Sequence, residues 1–366
     1  MMKLTSKTAL ILGLLALSNL GIEATQAAQP SLGSSFKEWC LQKDTLSNEA
    51  SETVDALLKV AETDDCEAAN EELSSRSKLV LSNKGIVDVT PLSEFTNLKK
   101  LSLASNEITD IDSLSKLTNL EKLSLTSNQI EDITPLAKLT NLTGLYFGNN
   151  QINDFSSLAK LTNLEQLDLI LNEIENVSFI AGLTKLKYLY LGLNQITDVT
   201  PLEKLTNLET LNLYQNKVTD VTPLTEVASL KELDLGNNPI TDVAPLGILT
   251  NLEELYLSEN QITDVAFLSG LTNLKVLYLK DNQINDITPL AEVTNLEELY
   301  LEENQVTDVA SLSGLTNLKF LYLNDNQITD ATPLSGLTNL VQLFLRDNPL
   351  TQTVCPDDIT TVCVFE

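Results

Sequence analysis

Histidine is absent from the 366-residue sequence. Cysteine and tryptophan are rare, since the sequence has only four cysteines and one tryptophan. The absence of histidine excludes serine–histidine and cysteine–histidine catalysis and every metal site that depends on imidazole ligands. The glycine patterns that cradle phosphates, G-x-G-x-x-G and G-x-x-x-x-G-K-[ST], are also missing. These absences predict a protein that is not an enzyme and that uses no cofactor, and the sequence predicts no metal site.

Basic residues are also few: 23 Lys and Arg stand against 51 Asp and Glu, for a net charge of −28. A surface of this charge repels phosphate backbones and anionic membranes, so nucleic acid is excluded as a partner. The same charge favours a basic protein or divalent cations. The sequence leaves open whether calcium occupies any row of carboxylates.

The chain has no apolar run long enough to cross a membrane, and its one short run lies near the N-terminus. Lys3 and Lys7 precede an apolar stretch at residues 9–17, and small residues follow at 24–28. This order predicts a secretory signal peptide over residues 1–28, cleaved near Ala27 or Ala28. The mature chain, with 21 basic and 50 acidic residues and a net charge of −29, is expected to be exported. It would be secreted, periplasmic or on the cell surface, without membrane insertion.

The dominant feature of the sequence is an asparagine that recurs every 22 residues. It occurs at Asn106, Asn128, Asn150, Asn172, Asn194, Asn216, Asn238, Asn260, Asn282, Asn304, Asn326 and Asn348. Such regular spacing predicts identical coils stacked around one axis, a solenoid. A solenoid offers a shallow open trough, which cannot readily exclude water or raise the pKa of one carboxylate. Glycosidase chemistry by paired carboxylates is therefore also disfavoured.

One repeat illustrates how each coil is built. Leu123 and Leu125 alternate with polar residues, which is typical of a short strand, and Asn128 ends it. A buried amide at that point can bond backbone groups of its own and the neighbouring coil, so the asparagines are interpreted as a structural ladder. Thr134 followed by proline then predicts a single 3₁₀ turn, with Asp132 capping local N–H groups.

The pattern L-x-x-L-x-L-x-x-N-x-I-x-D-[IV]-x-P-L, repeated from Leu79 to Leu350, resembles the leucine-rich repeats of the internalin family of bacterial surface proteins. The first unit departs from it, with Lys84 in place of the asparagine. The resemblance implies an α/β solenoid, a curved right-handed horseshoe with a parallel sheet on its concave face and short 3₁₀ helices on its convex face. No wall-sorting motif or immunoglobulin-like region is expected after Leu350, so the family's role in host-cell entry is not part of the expectation.

The repeats, at residues 77–350, are flanked by segments that lack the pattern. Residues 29–76 are predicted to form a helical N-terminal cap of two or three helices, with Ser47 as a helix cap and Trp39 buried beneath. A solenoid end exposes leucines, and such a lid would cover them. Residues 351–366 would close the other end.

The four cysteines lie in these two flanking segments. Stacked coils at about 4.8 Å each place the segments roughly 50 Å apart, whereas a disulfide needs Cα atoms within about 7 Å. Only Cys40–Cys66 and Cys355–Cys363 satisfy that limit, and such bonds suit an oxidising compartment. The alternative is four buried free thiols.

Aromatic residues are concentrated at outward-facing positions of the predicted concave sheet. Between the two strand leucines, or at the adjacent outward positions, lie Tyr146, Tyr188, Tyr190, Tyr214, Tyr256, Tyr278, Tyr300, Tyr322 and Phe344. A contiguous aromatic surface favours recognition, since tyrosine combines contact area with a polar tip. The alternative is copying by duplication, because residues 251–294 and 295–338 match at 34 of 44 positions.

Two columns of charge accompany the aromatic residues. One is acidic throughout and follows the strands at Glu259, Asp281, Glu303, Asp325 and Asp347, with Lys280 and Arg346 beside it. Like charges at this spacing repel each other unless something basic or divalent meets them. The other alternates in sign, at Glu165, Lys187, Glu209, Lys231, Glu253, Lys275, Glu297 and Lys319, and is predicted to hold the strands in register.

These observations predict an exported, non-enzymatic monomer that binds a protein partner, preferably basic, through its concave face. The strip from Tyr256 to Phe344 and the acidic column beside it are the predicted contact region. Two alternatives stay open: a glycan-binding adhesin whose tyrosines stack on sugar rings, and a passive structural protein of the cell envelope.

Overall fold

The structure, a computed structural model, describes residues 34–352, 355 and 362–365. The predicted signal peptide lies outside these residues. The described chain begins with three helices, as the sequence predicts: α1 (Phe36–Leu41), α2 (Asn48–Ala61) and α3 (Cys66–Ser75). A 3₁₀ turn, Lys43–Thr45, joins the first two. The Ser47 side chain accepts a hydrogen bond from the backbone N–H of Ala50, which confirms its role as the cap of α2.

The three helices cover the first coil of the solenoid. Trp39 is completely buried among them, as predicted, and the ring of Phe36 lies 5.7 Å from that of Phe95 in the first repeat. Cys40 and Cys66 form a disulfide that joins α1 to α3, with their Cα atoms 5.6 Å apart. The helical cap therefore shares one continuous core with the repeats.

Every coil contributes one three-residue strand to a single parallel sheet. The strands, β1 to β14, are Lys78–Val80, Lys100–Ser102, Lys122–Ser124, Gly144–Tyr146, Gln166–Asp168, Tyr188–Tyr190, Thr210–Asn212, Glu232–Asp234, Glu254–Tyr256, Val276–Tyr278, Glu298–Tyr300, Phe320–Tyr322, Gln342–Phe344 and Val362–Val364. They lie in chain order, and from β1 to β13 each residue pairs with the residue 22 positions away. Equivalent side chains consequently form straight rows across the sheet.

Short 3₁₀ helices on the opposite side return the chain to the next strand. They are Thr90–Leu92, Asp112–Lys116, Thr134–Lys138, Ser156–Lys160, Ser178–Ile180, Thr200–Lys204, Thr222–Glu226, Ala244–Ile248, Ala266–Gly270, Thr288–Glu292, Ala310–Gly314 and Thr332–Gly336. Their starts are stabilised as predicted: Asp132 Oδ1 accepts from Thr134 N at 2.8 Å, and Asn176 does the same for Ser178 at 2.7 Å. The fold is the expected leucine-rich-repeat horseshoe solenoid.

The asparagine ladder is also confirmed. Asn128 donates through Nδ2 to the carbonyl of Leu125 in its own coil, at 2.9 Å, and to that of Leu103 in the preceding coil, at 3.1 Å. Its Oδ1 accepts from Ile108 N at 3.1 Å. The amide thus satisfies buried backbone groups of two coils at once, which fixes their spacing.

The ladder is interrupted at one step. Ile130 N donates to Asn150 Oδ1, but the equivalent bond to Asn172 is missing, and Asn172 Oδ1 is buried without a partner. An open groove of about 740 Å³ is lined by residues of these coils, including Phe155. Phe155 occupies a core position where the other coils have smaller residues. Its ring stacks on Phe179 at 5.3 Å. The interrupted step therefore coincides with the one described repeat that carries an aromatic ring at this core position.

The C-terminal tail adds a strand to the sheet that the repeat pattern does not predict. Val362–Val364 pairs with β13, so that Phe344 lies in register with Val364. Cys355 and Cys363 form the second disulfide, with Cα atoms 6.1 Å apart. Both predicted disulfides are therefore present.

Candidate functional site

The concave face displays three side chains from most coils. They come from the first residue of the strand, the last residue of the strand, and the second residue after the strand. We call these the first, second and third concave positions. The second position carries Tyr146, Tyr190, Tyr256, Tyr278, Tyr300, Tyr322 and Phe344, while Tyr188 occupies a first position and Tyr214 a third. All eight tyrosines are half-buried on this one face.

Five rings from β9 to β13 form one continuous stack, which we call the aromatic strip. Ring centroids are 4.9 Å apart for Tyr256 and Tyr278, 3.9 Å for Tyr278 and Tyr300, and 4.7 Å for each of the last two steps, to Tyr322 and Phe344. The interplanar angles lie between 6° and 27°. Because each inner ring has a neighbour on both faces, only ring edges and hydroxyl groups remain for a ligand.

The hydroxyl groups of the strip are held by polar neighbours at the first concave position. Tyr256 donates to Glu254 Oε2 at 2.7 Å, Tyr300 donates to Glu298 Oε2 at 3.0 Å, and Tyr322 donates to the Gln342 amide oxygen. Burial, and then the hydrogen bonds of each hydroxyl, raise the pKa of Tyr256 and Tyr300 above the usual value. These hydroxyls therefore stay protonated and fixed in direction.

The tyrosines of the N-terminal half do not stack. Asp168, Asn212 and Asp234 interrupt the row at the second position. Tyr146 donates instead to Gln166 Oε1 at 2.6 Å, and burial raises its pKa. The structure thus divides the predicted aromatic row into a stacked C-terminal strip and separate N-terminal side chains.

The acidic column occupies the turn that ends each strand. Its members are exposed and have positive φ: Glu259 (56°), Asp281 (53°), Glu303 (55°), Asp325 (55°) and Asp347 (55°). The same backbone conformation recurs at this position in the other coils, where Asn, Ser, Gln and Leu occur. Asp and Asn tolerate the left-handed region, so local geometry explains part of the column. The two basic residues beside the column reduce its repulsion: Lys280 pairs with Glu303 at 3.0 Å and Arg346 with Asp347 at 2.8 Å.

Three carboxylates on the concave face are substantially buried, and burial raises the pKa of each: Asp168, Asp234 and Glu302. Asp234 accepts from Gly236 N at 3.0 Å and from Asn212 Nδ2 at 2.7 Å, yet burial raises its pKa to about 6. Burial also raises the pKa of Glu302, whose Oε2 has no hydrogen-bond partner.

The first concave position carries a charge pattern that the sequence analysis missed. It reads lysine on β1 to β3 and glutamate on β8, β9 and β11, at Lys78, Lys100, Lys122, Glu232, Glu254 and Glu298. Taking every 22nd residue from Lys78 would have revealed it. The neighbouring column of alternating sign behaves as predicted, with ion pairs such as Lys187–Glu165 at 3.1 Å and Lys231–Glu209 at 2.7 Å.

Two further properties bear on what the face can bind. Across residues 34–352, 355 and 362–365, no three Asp, Glu, Cys or His side chains are grouped so as to hold a metal ion. Over the same residues, no helix combines the length and apolarity needed to cross a membrane.

Comparison with known proteins agrees with this architecture. The family model described as Leucine Rich repeats (2 copies) matches most of the chain beyond residue 95. The matched segments are 96–138, 140–182, 184–226, 206–248, 228–270, 250–292, 272–315, 294–335 and 316–358. The chain therefore belongs to the leucine-rich-repeat proteins.

Solved structures place it more narrowly. An internalin (inlF) of Listeria monocytogenes is 35% identical, with a TM-score of 0.79, over 82% of this chain and 90% of that one. The functional domain of InlJ from the same organism is 26% identical, with a TM-score of 0.64, over 87% of this chain and 76% of that one. A leucine-rich-repeat protein of Leptospira interrogans is 25% identical, with a TM-score of 0.63, over 77% of this chain and 87% of that one. Within the leucine-rich-repeat proteins, the chain is of the internalin type. No curated protein sequence matches it.

Proposed function

We propose that this protein is exported and binds a protein partner through its concave face, with the aromatic strip as the main contact. The observation that carries the proposal is the continuous stack of five half-buried aromatic rings on five successive strands of the concave face. Half-buried, preorganised tyrosines give contact area at a low cost in side-chain entropy. This is the arrangement expected of an interface hot spot.

The acidic column adds a preference for a basic partner. Its side chains are exposed next to the strip, and two of the five are paired with a basic residue of the chain. A lysine- or arginine-bearing surface would reduce the remaining repulsion and would accelerate association at low salt.

Glycan binding is the weaker candidate. Sugar rings stack on the faces of aromatic side chains, and in the strip the faces of Tyr278, Tyr300 and Tyr322 are each covered by two neighbouring rings. A glycan array separates the two functions, because binding of proteins alone predicts no hits.

The decisive experiment compares partner recovery by variants of the strip. Immobilised wild-type protein and the triple variant Tyr278→Ala/Tyr300→Ala/Tyr322→Ala are used for affinity purification, and recovered proteins are identified by mass spectrometry. Specific partners should be lost from the variant, whereas equal recovery would reject the strip as the contact region.

Two controls separate binding from folding. The variant Tyr278→Phe/Tyr300→Phe/Tyr322→Phe keeps the ring stack and removes only hydroxyls, so it should keep much of the fold and lose part of the affinity. The variant Tyr146→Ala/Tyr190→Ala/Tyr214→Ala removes three tyrosines from the unstacked half, and it should retain more of the partner than the strip variant does. Circular dichroism and denaturation midpoints establish that each variant is folded.

Export is supported by the signal-like sequence at residues 1–28 and by the two disulfides. Expression of the full chain in a bacterium, followed by fractionation and N-terminal sequencing, tests it. A cytoplasmic, uncleaved product would contradict this part of the proposal.

A further inference from the structure

Two adjacent columns of side chains along the concave sheet have opposite charge patterns. In the column just before the strands, glutamate and lysine alternate and form ion pairs between coils, as between Glu209 and Lys231. In the first concave position, one residue further along, like charges are adjacent: Lys78 pairs in register with Lys100, and Glu232 with Glu254. Like charges directly opposite each other on a sheet are destabilising. Ion pairs that hold neighbouring strands in register explain the alternating column. They cannot explain the first concave position, where neighbouring charges have the same sign.

The lysines at the N-terminal end are available for a ligand. Lys78 and Lys100 are exposed, Lys122 is half-buried, and none of the three forms an ion pair within the described residues. Lys122 donates to the Gln166 amide oxygen at 3.2 Å. The side chains beside them at the second position are small, Val80 and Ser102 among them, and leave a shallow groove of about 120 Å³. The three lysines therefore border an open groove, which Tyr146 bounds at one end.

The glutamates at the other end are held in place. Glu254 and Glu298 accept from the hydroxyls of Tyr256 and Tyr300, and Glu232 accepts from Thr210 Oγ1 at 3.2 Å. These bonds orient the carboxylates on the face without neutralising them. Between β2 and β9 lie seven strand spacings of about 4.8 Å, so the centres of opposite charge are about 34 Å apart.

We propose that the concave face binds its partner in one direction only. An acidic segment of the partner lies against Lys78, Lys100 and Lys122 on β1 to β3, and a basic segment lies against Glu232, Glu254 and Glu298 on β8 to β11. The inference rests on the proposed function and adds the chemistry of the partner, a protein surface whose two charges are separated along its length. The gradient sets orientation and suppresses partners of the opposite polarity.

The test uses a synthetic peptide that carries this polarity and no net charge. It has three glutamates, a neutral linker of about ten residues and three lysines, which extended chain geometry allows to span the two charge centres. A photoactivatable benzophenone is placed next to the glutamates in one version and next to the lysines in another. Cross-linking to the full-length protein, followed by mass spectrometry, locates each end.

The glutamate end should cross-link to residues of β1 to β3 and the lysine end to residues of β8 to β11. The variant Lys78→Glu/Lys100→Glu/Lys122→Glu should abolish the first set of cross-links and weaken peptide binding about fivefold, since exposed ion pairs are individually weak. Raising the salt concentration should also weaken binding of the peptide to the wild-type protein.

The matched control is Lys138→Glu/Lys160→Glu/Lys204→Glu. It makes the same change in net charge at exposed lysines of the 3₁₀ helices, on the convex side. The peptide should bind this control as it binds wild type. Scattered or absent cross-links, reversed ends, or equal weakening in the two lysine variants would each overturn the inference. The tyrosine variants are assayed separately, so a failure of the aromatic strip and a failure of the charge gradient are distinguishable.

Discussion

The ring of Tyr278 lies 3.9 Å from the ring of Tyr300, with an angle of 11° between the two planes. The residues are paired in register on β10 and β11, so strand pairing places the two side chains next to each other. The stacked rings therefore have two roles. They would contact a partner, and they also stabilise the solenoid by packing against one another. Preorganisation of this kind lowers the entropy lost on binding.

Replacing the central ring should therefore cost stability as well as binding. Tyr300→Ala removes ring contacts on both sides, and we expect the free energy of unfolding to fall by about 1–3 kcal/mol. Tyr188→Ala is the comparison, because Tyr188 is half-buried but has no ring contact among the described residues. Equilibrium denaturation in urea measures both. Equal losses would show that stacking contributes nothing beyond burial.

The asparagine ladder makes a sharper prediction, because one rung is incomplete. Asn194 donates to carbonyls of Leu169 and Leu191 and accepts from the N–H groups of Asn172 and Ile174. Asn194→Ala should cost about 2–4 kcal/mol, since it leaves buried backbone groups without partners. Asn172→Ala should cost about 1 kcal/mol less, because Asn172 Oδ1 accepts no bond in the folded protein.

Hydrogen exchange provides the measurement for the two asparagines. The amides of Asn172 and Ile174 should lose protection in the Asn194 variant, while the amides around Asn172 Oδ1 should change less in the Asn172 variant. A larger loss of stability for Asn172→Ala than for Asn194→Ala would contradict the description of the interrupted rung.

The raised pKa of Asp234 makes stability depend on pH. Its pKa rises from about 3.8 when unfolded to about 6 when folded, because burial disfavours the carboxylate. The folded state therefore binds the proton more tightly, and stability falls as the pH rises from about 4 to about 6. Asp234→Asn should accordingly stabilise the protein by about 1–2 kcal/mol at pH 8, and this gain should shrink toward pH 4. Denaturation midpoints of both proteins at several pH values test it, and a gain independent of pH would refute the assignment.

The N-terminal disulfide should matter for the cap that it joins. The double variant Cys40→Ser/Cys66→Ser releases a loop that spans 26 residues. Loop-closure entropy predicts a loss of about 3 kcal/mol, in a cap that shares the core of the first coil. In this variant, the amide hydrogens of α1 and α3 should exchange faster than in the wild-type protein. Exchange in the central strands should change much less. The pair Cys355 and Cys363, which spans only 8 residues, is the control and should cost less.

Much of the architecture follows from the sequence alone. A strict spacing of 22 residues imposes translational symmetry, so the neighbour of any side chain across the sheet is known before any coordinates are. For that reason the rows of leucine, the ladder formed by Asn128 and its equivalents, the caps at Asp132 and the pairing of Glu209 with Lys231 could all be predicted. The two disulfides followed because stacking separates the ends of the chain.

Other properties were decided only by the tertiary structure. Periodicity places Tyr278 beside Tyr300, but rotamers and strand curvature determine that the rings stack face to face. The repeat gave no sign that Glu259 lies in a left-handed turn, that the asparagine ladder is interrupted at Asn172, or that the tail adds β14. The pKa of Asp234 likewise depends on how completely its neighbours exclude water. The sequence determined which residues are neighbours, because that is a matter of period; only packing decided how those neighbours touch and how far water reaches them.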